Sequence, residues 1–342
     1  MKRKSFIISY VFLLTLTLAT LPFGVTYAKG KPIVLKCVSA LPTFDITMEV
    51  FHLFQNRVNE KSKGELTIKI TGGPEVMAPW DLASSVQKGV LDMAFSYTGA
   101  FEGVVPESTC LAASLAPAWK DRESGAFDIL FNLFKKKGIY YVGRHEFQPP
   151  QENFIIMSPK VAFKNPESLK GLKIVAISPQ GDRFLKALGA IPVIMPPPEV
   201  FTTLERGVVD CEWDPYRTSV ALGTYEIHKY AIDHPWFSDN LATIMNPKIW
   251  EGLPKHLQDI IKEAIIWEEK NATAITSKKE AAEKQKFVKR GVKLIKFSPA
   301  DEEYYRSLAP KAEWEYLVKK YPGTEPLKKL MYDPYKDTFF KK

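Results

Sequence analysis

The chain has 342 residues, 45% hydrophobic and 25% charged, which are globular proportions with enough length for two separate cores and which exclude a disordered chain. Its formal charge of +8 falls to about +5 without the basic leader, a mild excess that gives no case for a nucleic-acid partner. The three cysteines, Cys37, Cys110 and Cys211, allow at most one disulfide and no C-x-x-C site, and read as small buried residues.

The chain opens on Lys2, Arg3 and Lys4, an apolar run, and the small-residue pattern Thr26-Tyr27-Ala28. This is the layout of a secretory signal, residues 1–28, cut near Ala28. The rival reading is a retained anchor, because the run approaches the length of a short span. No cysteine follows closely enough for a lipoprotein site, and no other segment is apolar enough to cross a membrane. A soluble, exported, periplasmic protein is expected.

Next, PIVLKCVSA alternates like a strand, and FDITMEVFHLFQNRVNEKSKG carries Val50, Phe51, Phe54 and Val58 at helical spacing. Thr43 or Asp45 can cap that helix and Gly64 can end it. ELTIKITGG predicts a second strand, PWDLASSVQKG a helix, and VLDMAFSYTG a third strand. The βαβαβ order calls for a mostly parallel sheet covered by helices.

An echo then appears. SVQKGVLDMAF and TTLERGVVDCEW share a helix ending in a basic residue and glycine (Gly89, Gly207), two apolar residues, and Asp92 or Asp210. Each glycine suits a left-handed helix stop, and each copy follows a similar strand, KGELTIKI or KGLKIVAI. Two similar α/β lobes are the simplest account, and in such open sheets a ligand crevice lies at the carboxyl ends of the strands. The pattern beginning at KHLQDIIKEAIIWEEK runs as one helix of more than thirty residues, roughly 50 Å long and wide enough to brace both lobes. The closing YPGTEPLKKLMYDPYKDTFFKK reads as a loose, short-helical tail.

Motifs of catalysis are missing. There is no G-x-S-x-G, no G-x-x-x-x-G-K-[ST] and no H-E-x-x-H. His52, His145, His228, His234 and His256 are scattered, so no residue is assigned a catalytic role and an enzyme is not expected. What remains is a set of aromatic and polar residues at predicted strand ends: Phe44, Tyr97, Phe147, Gln151, Glu152, Glu212, Trp213, Tyr216, Arg217, Trp236, Ser238 and Asp239. Aromatic walls with a few fixed polar groups suit a small-molecule pocket.

The run FQNRVNEKSKGELTIKI, VQKGVLDMAF, PESLKGLKI, LGAIPVIMPPPEVFTTLERGVVDCEW, IWEGLP and the long helix resembles the solute receptors of tripartite ATP-independent periplasmic (TRAP) transporters over nearly all of the mature chain. The resemblance implies a two-lobe periplasmic-binding-protein-like fold. Each lobe is a mostly parallel sheet flanked by helices, the chain crosses between lobes twice, and the long helix braces both. It implies closure around a small organic acid and delivery to membrane subunits driven by an ion gradient. The expected limits are 29–152 plus about 241–280 for the first lobe, 153–240 plus about 281–330 for the second, and 331–342 for a tail, in a monomer.

In that family the strand after LKGLKI continues with an arginine that grips the substrate carboxylate, and a second polar residue lies about twenty positions earlier. Here Val175 and Ile155 stand in those places, so the bidentate grip is not carried over. Several replacements stay open. A helix starting at Ser178-Pro179-Gln180 offers free N–H groups. Arg144, Arg183 or Arg217 can reach the crevice from another wall. Glu212, Trp213 and Asp239 resemble the family branch that holds a Ca²⁺ or Na⁺; otherwise no cofactor is expected. Or the ligand is apolar or aromatic at Val175, packing on Phe147, Trp213 and Trp236. The rivals from other classes are an exported hydrolase pairing Glu212 with Asp214 or Glu152, and a sensor subunit on the same scaffold.

Overall fold

The structure is a computed structural model that describes residues 31–147, 154–176, 179–195, 197–235, 237 and 240–336. The signal segment lies outside the described residues. Among them no helix is long and apolar enough to cross a membrane.

From the N-terminal side the chain forms β1 (Ile33–Ser39), α1 (Met48–Lys61), β2 (Leu66–Gly72), α2 (Leu82–Lys88), β3 (Met93–Tyr97), α3 (Lys120–Ser124), α4 (Ala126–Lys136) and β4 (Tyr140–Glu146). It continues with β5 (Ile155–Ser158), β6 (Lys173–Ala176), α5 (Pro179–Ala187), β7 (Ile191–Ile194), α6 (Pro197–Glu205), β8 (Cys211–Asp214), α7 (Tyr216–Leu222) and β9 (Tyr230–Ile232). The last part is β10 (Asn240–Met245), α8 (Pro247–Gly252), α9 (Lys255–Lys289), β11 (Lys293–Ile295), α10 (Pro299–Lys320) and α11 (Glu325–Met331).

Two sheets result, ordered β2-β1-β3-β10-β4 and β11-β9-β5-β8-β6-β7. Neighbours are parallel except around β10 in the first sheet and β5 in the second. Those reversed strands are the ones the chain enters on passing from one sheet to the other. Such a strand starts at the edge where its parallel neighbours end, so both passages lie at the carboxyl ends of the strands. The register agrees: Asn240 is opposite Glu146 and Leu241 opposite Tyr97, while Ile155 is opposite Asp214.

The sequence echo has a structural basis. Gly89 and Gly207 have φ of +76° and +70°, a backbone shape that side chains with a Cβ rarely adopt. Just beyond them, the Asp92 carboxylate accepts the N–H of Lys36 in β1 (2.9 Å). Asp210 does the same for Lys173 in β6 (2.9 Å). In each lobe an aspartate ties the exit of the glycine-ended helix to the neighbouring parallel strand, in mid-strand at Lys36 and at the first strand residue at Lys173.

Within the first lobe, α1 turns Phe51, Phe54 and Val58 into a core with Leu35, Cys37 and Phe95, the stripe its three- and four-residue spacing dictates. Helix α9, 35 residues long, packs on α1 and β4 and then on α7, spanning both lobes. A further crossing was not expected. Helix α10 leaves β11, packs on α5, and reaches the 3-10 turn Pro106–Ala113 of the first lobe, where the Trp314 indole N–H donates to Ala113 O (2.9 Å). Helix α11 then buries Leu327 and Met331, and Leu115 N–H donates to Met331 O (2.9 Å). The stretch expected as a loose tail is therefore docked up to Lys336, because its few apolar residues share one face. Residues 337–342 lie outside the described residues.

Candidate functional site

Where the chain passes between the sheets, four rings meet. Phe154 stands just before β5, Trp213 on β8, Phe184 on α5, and Phe237 in the segment leading to β10. Ring centroids are 4.6 Å apart for Phe154 and Trp213, 4.9 Å for Trp213 and Phe237, 5.1 Å for Phe154 and Phe237, and 5.7 Å for Phe184 and Trp213. The indole lies so close to the first turn of α5 that a Cβ on Gly181 would sit 2.3 Å from its Cζ3. This group belongs to a continuous apolar cluster with Val38, Ala40, Leu111 and Ala242 of the first lobe. An aromatic wall thus borders both passages at the carboxyl edge of the second sheet.

Beside it lies a charged junction. The first two residues of α7 point their backbone N–H groups at Glu280 of α9, at 2.7 Å from Tyr216 and 3.2 Å from Arg217. The Arg217 guanidinium reaches across to Glu49 of α1 (3.0 Å) and lies over the Phe147 ring (4.7 Å). Glu49 is also paired with Lys279 of α9. The Phe147 carbonyl accepts from the Thr276 hydroxyl, tying the end of β4 to α9.

The residues singled out in the sequence are distributed as follows. Trp213, Phe147, Arg217 and Tyr216 are brought to this region, although Tyr216 turns its ring to Phe287 (4.8 Å) and its hydroxyl to Asp233 (3.5 Å). Tyr97 ends β3, half-buried, edge-on to Trp80 (5.9 Å). Phe44, on the loop after β1, is 89% exposed and meets neither the aromatic wall nor the junction. Val175 is fully buried among Val200, Leu204 and Val209. It pairs in register with Glu212, on the face that strand alternation turns away from Trp213. Its place is the core under α6, apart from the four rings. Gln151, Glu152, Ser178, Trp236, Ser238 and Asp239 lie outside the described residues.

Glu212 is tied down on that far face. Its carboxylate accepts from the Thr224 hydroxyl (2.8 Å) and meets His228 Nε2 (2.8 Å). Burial works to raise its pKa, but the His228 ring and the Ser219 and Thr224 hydroxyls outweigh it and hold the group below the ordinary carboxylate value. The Glu212 carboxylate is thus engaged by an imidazole and a hydroxyl within its own lobe, while Asp239, the third residue of the expected Ca²⁺ or Na⁺ set, lies outside the described residues. Among the described residues no group of three or more His, Cys, Asp or Glu is arranged to hold a metal. The same ties remove Glu212 from a carboxylate pair for hydrolysis. Arg144 and Arg183 are likewise engaged: Arg144 is buried against Asp121 (3.0 Å), and Arg183 forks onto Glu313 (2.8 Å at Nη2).

Sequence reasoning missed Phe154, Phe184, Phe237 and Glu49. Phe154 precedes the apolar strand residues of β5 and Phe184 sits among apolar positions of α5, so both read as ordinary core; Phe237 reads as a loop residue beside Trp236, and Glu49 as a solvated helix residue. Only Gly181, a lone glycine opening a helix, hints at the close approach of a ring.

Comparison with known proteins agrees with this two-lobe arrangement. A family model described as "Bacterial extracellular solute-binding protein, family 7" matches residues 39–317. A solute-binding protein of Albidiferax ferrireducens is 25% identical over 336 residues, 91% of this chain and 94% of that one. The 2,3-diketo-L-gulonate-binding periplasmic protein YiaO of Escherichia coli is 26% identical over 242 residues, 69% of this chain and 71% of that one. The crystal structure of a TRAP periplasmic solute binding protein from Desulfovibrio salexigens with bound orotic acid superposes with a TM-score of 0.71 at 22% identity, covering 90% of this chain and 99% of that one; at this identity it speaks for the fold. With two sheets joined at their carboxyl edges and a family match spanning both, the chain belongs to the bacterial extracellular solute-binding proteins of family 7.

Proposed function

We propose that the protein is an extracytoplasmic receptor that closes two lobes around a small organic acid with an apolar or aromatic body and delivers it to a TRAP-type membrane transporter. The observation that carries this reading is the aromatic wall of Phe154, Trp213 and Phe237 at the passages between the sheets. A flat ring or apolar body buried there is stabilised by a few kcal/mol from area alone. The names of two similar proteins, one bound to orotic acid and one that binds 2,3-diketo-L-gulonate, support the acid. The family supports export, and the basic leader followed by an apolar run supports a cleaved signal at residues 1–28. Closure favours binding only if the ligand touches both lobes.

The experiment is mass spectrometry of the small molecule released on denaturing the purified protein, followed by small-angle scattering with and without that molecule. An unaltered organic acid and a smaller radius of gyration on saturation are expected. A hydrolysed product points instead to an exported hydrolase. An unchanged scattering curve with saturating ligand counts against closure.

A further inference from the structure

Arg217 stands where the start of α7, the start of α1, the end of β4 and the middle of α9 meet. Its side chain is 10% exposed. Nη2 donates to Glu49 (3.0 Å), the guanidinium plane rests over Phe147 (4.7 Å), and Glu280 takes the backbone N–H. Glu49 is shared with Lys279, so one carboxylate serves two cations. Nη1 is buried and has no hydrogen-bond partner among the described residues. A guanidinium carries five donors in a rigid plane and keeps its charge at any physiological pH. Leaving one edge of it dry and unpaired is unfavourable unless an acceptor takes that edge.

Arg144 also has an unpartnered Nη1, but its holders, Asp121 and Ala116 O, are in its own lobe. Arg217 belongs to the second lobe and is held by Glu49 of the first. We propose that Arg217 is a ligand-binding residue whose Nη1 edge receives the carboxylate of the solute. This rests on the receptor reading above. Because Glu49 and Phe147 orient the guanidinium from the opposite lobe, the edge is aimed when the lobes meet, which couples recognition of the acid to closure. The short, charge-assisted bond that results distinguishes an acid from a neutral analogue.

The test is thermal stabilisation and tryptophan-fluorescence titration with pyroglutamate, orotate, benzoate and 2-oxobutanoate, each beside its methyl ester. At least one acid is expected to stabilise the wild type and its ester not to. The Arg217→Met variant is expected to lose about tenfold or more in affinity for that acid. If Arg217→Met fails to fold because Glu49 is stranded, the double variant Glu49→Gln with Arg217→Met removes both charges together and carries the same expectation. The inference is overturned if an ester binds as well as its acid, if a folded Arg217 variant keeps wild-type affinity, or if no acid stabilises the protein. Release of a neutral solute on denaturation overturns it too, while leaving the receptor reading intact.

Discussion

His145 shows how one buried side chain sets a pH response. It sits on β4 with Nε2 2.7 Å from the Thr243 hydroxyl of β10 and Nδ1 3.2 Å from Glu268 of α9. Phe51 and Phe54 of α1 and Phe95 of β3 close around the ring. Burial holds the imidazole down to about 3, and burial raises the Glu268 carboxyl well above its ordinary value, with Glu146 adding to it. The imidazole is thus neutral near pH 7, and burial favours the uncharged form of the Glu268 carboxyl that lies beside Nδ1. An unfolded histidine takes its proton near 6.5. Between that value and about 3 the unfolded chain holds the extra proton, so stability falls as pH falls, by up to about 1.4 kcal/mol per pH unit for this group. Buried carboxyls such as Asp121, raised to about 7 by burial, act in the opposite sense in the same window, so urea unfolding at pH 7 and pH 5 should give a change on acidification that is less favourable in the wild type than in His145→Gln. Equal changes in the two proteins would remove His145 as a cause.

At the scale of elements, α9 acts on both lobes through close approaches. It comes so near β4 that a Cβ on Gly143 would lie 2.5 Å from Ile265 Cγ1 and 2.6 Å from Glu269 Oε1. Those neighbours are poorly placed to yield, since Glu269 is forked by Arg122 (2.6 and 2.9 Å). Gly143→Ala is therefore expected to cost about 1–3 kcal/mol in equilibrium unfolding, the range for overpacking a tight contact. On its other half, α9 supplies Glu280 to the free N–H groups that begin α7, which a helix start must have satisfied. One helix therefore holds the backbone at Arg217 in the second lobe and the packing of β4 in the first.

For the whole molecule, the C-terminal helices form another bridge between lobes. Helix α10 holds α5 and the first lobe's 3-10 turn, and α11 places Leu327 and Met331 in the apolar cluster. Deleting residues from Glu325 onward uncovers the surfaces these two side chains fill. At about 1.5–3 kcal/mol for each buried aliphatic side chain, the truncated protein should lose on the order of 3 kcal/mol or more and melt at a clearly lower temperature. An unchanged melting temperature would mean that α11 is ornamental to the fold.

Local pattern alone determined the class of fold. Helical spacing in α1, the repeated glycine-apolar-aspartate succession and the unbroken pattern of α9 each follow from short-range rules, and the strand-helix order leaves few topologies. Tertiary structure decided which of the candidate residues meet. Whether Val175 faces a ligand or a core depends on which side of β6 receives α6, and Glu212 reads as a ligand until His228 and Thr224 arrive from the next turn to claim it. The meeting of Glu49, Phe147, Arg217 and Lys279, far apart along the chain, arises only when two lobes and a shared helix come together. Side-chain period and capping are written in neighbouring residues, whereas charge pairing across a crevice is a property of distance in space.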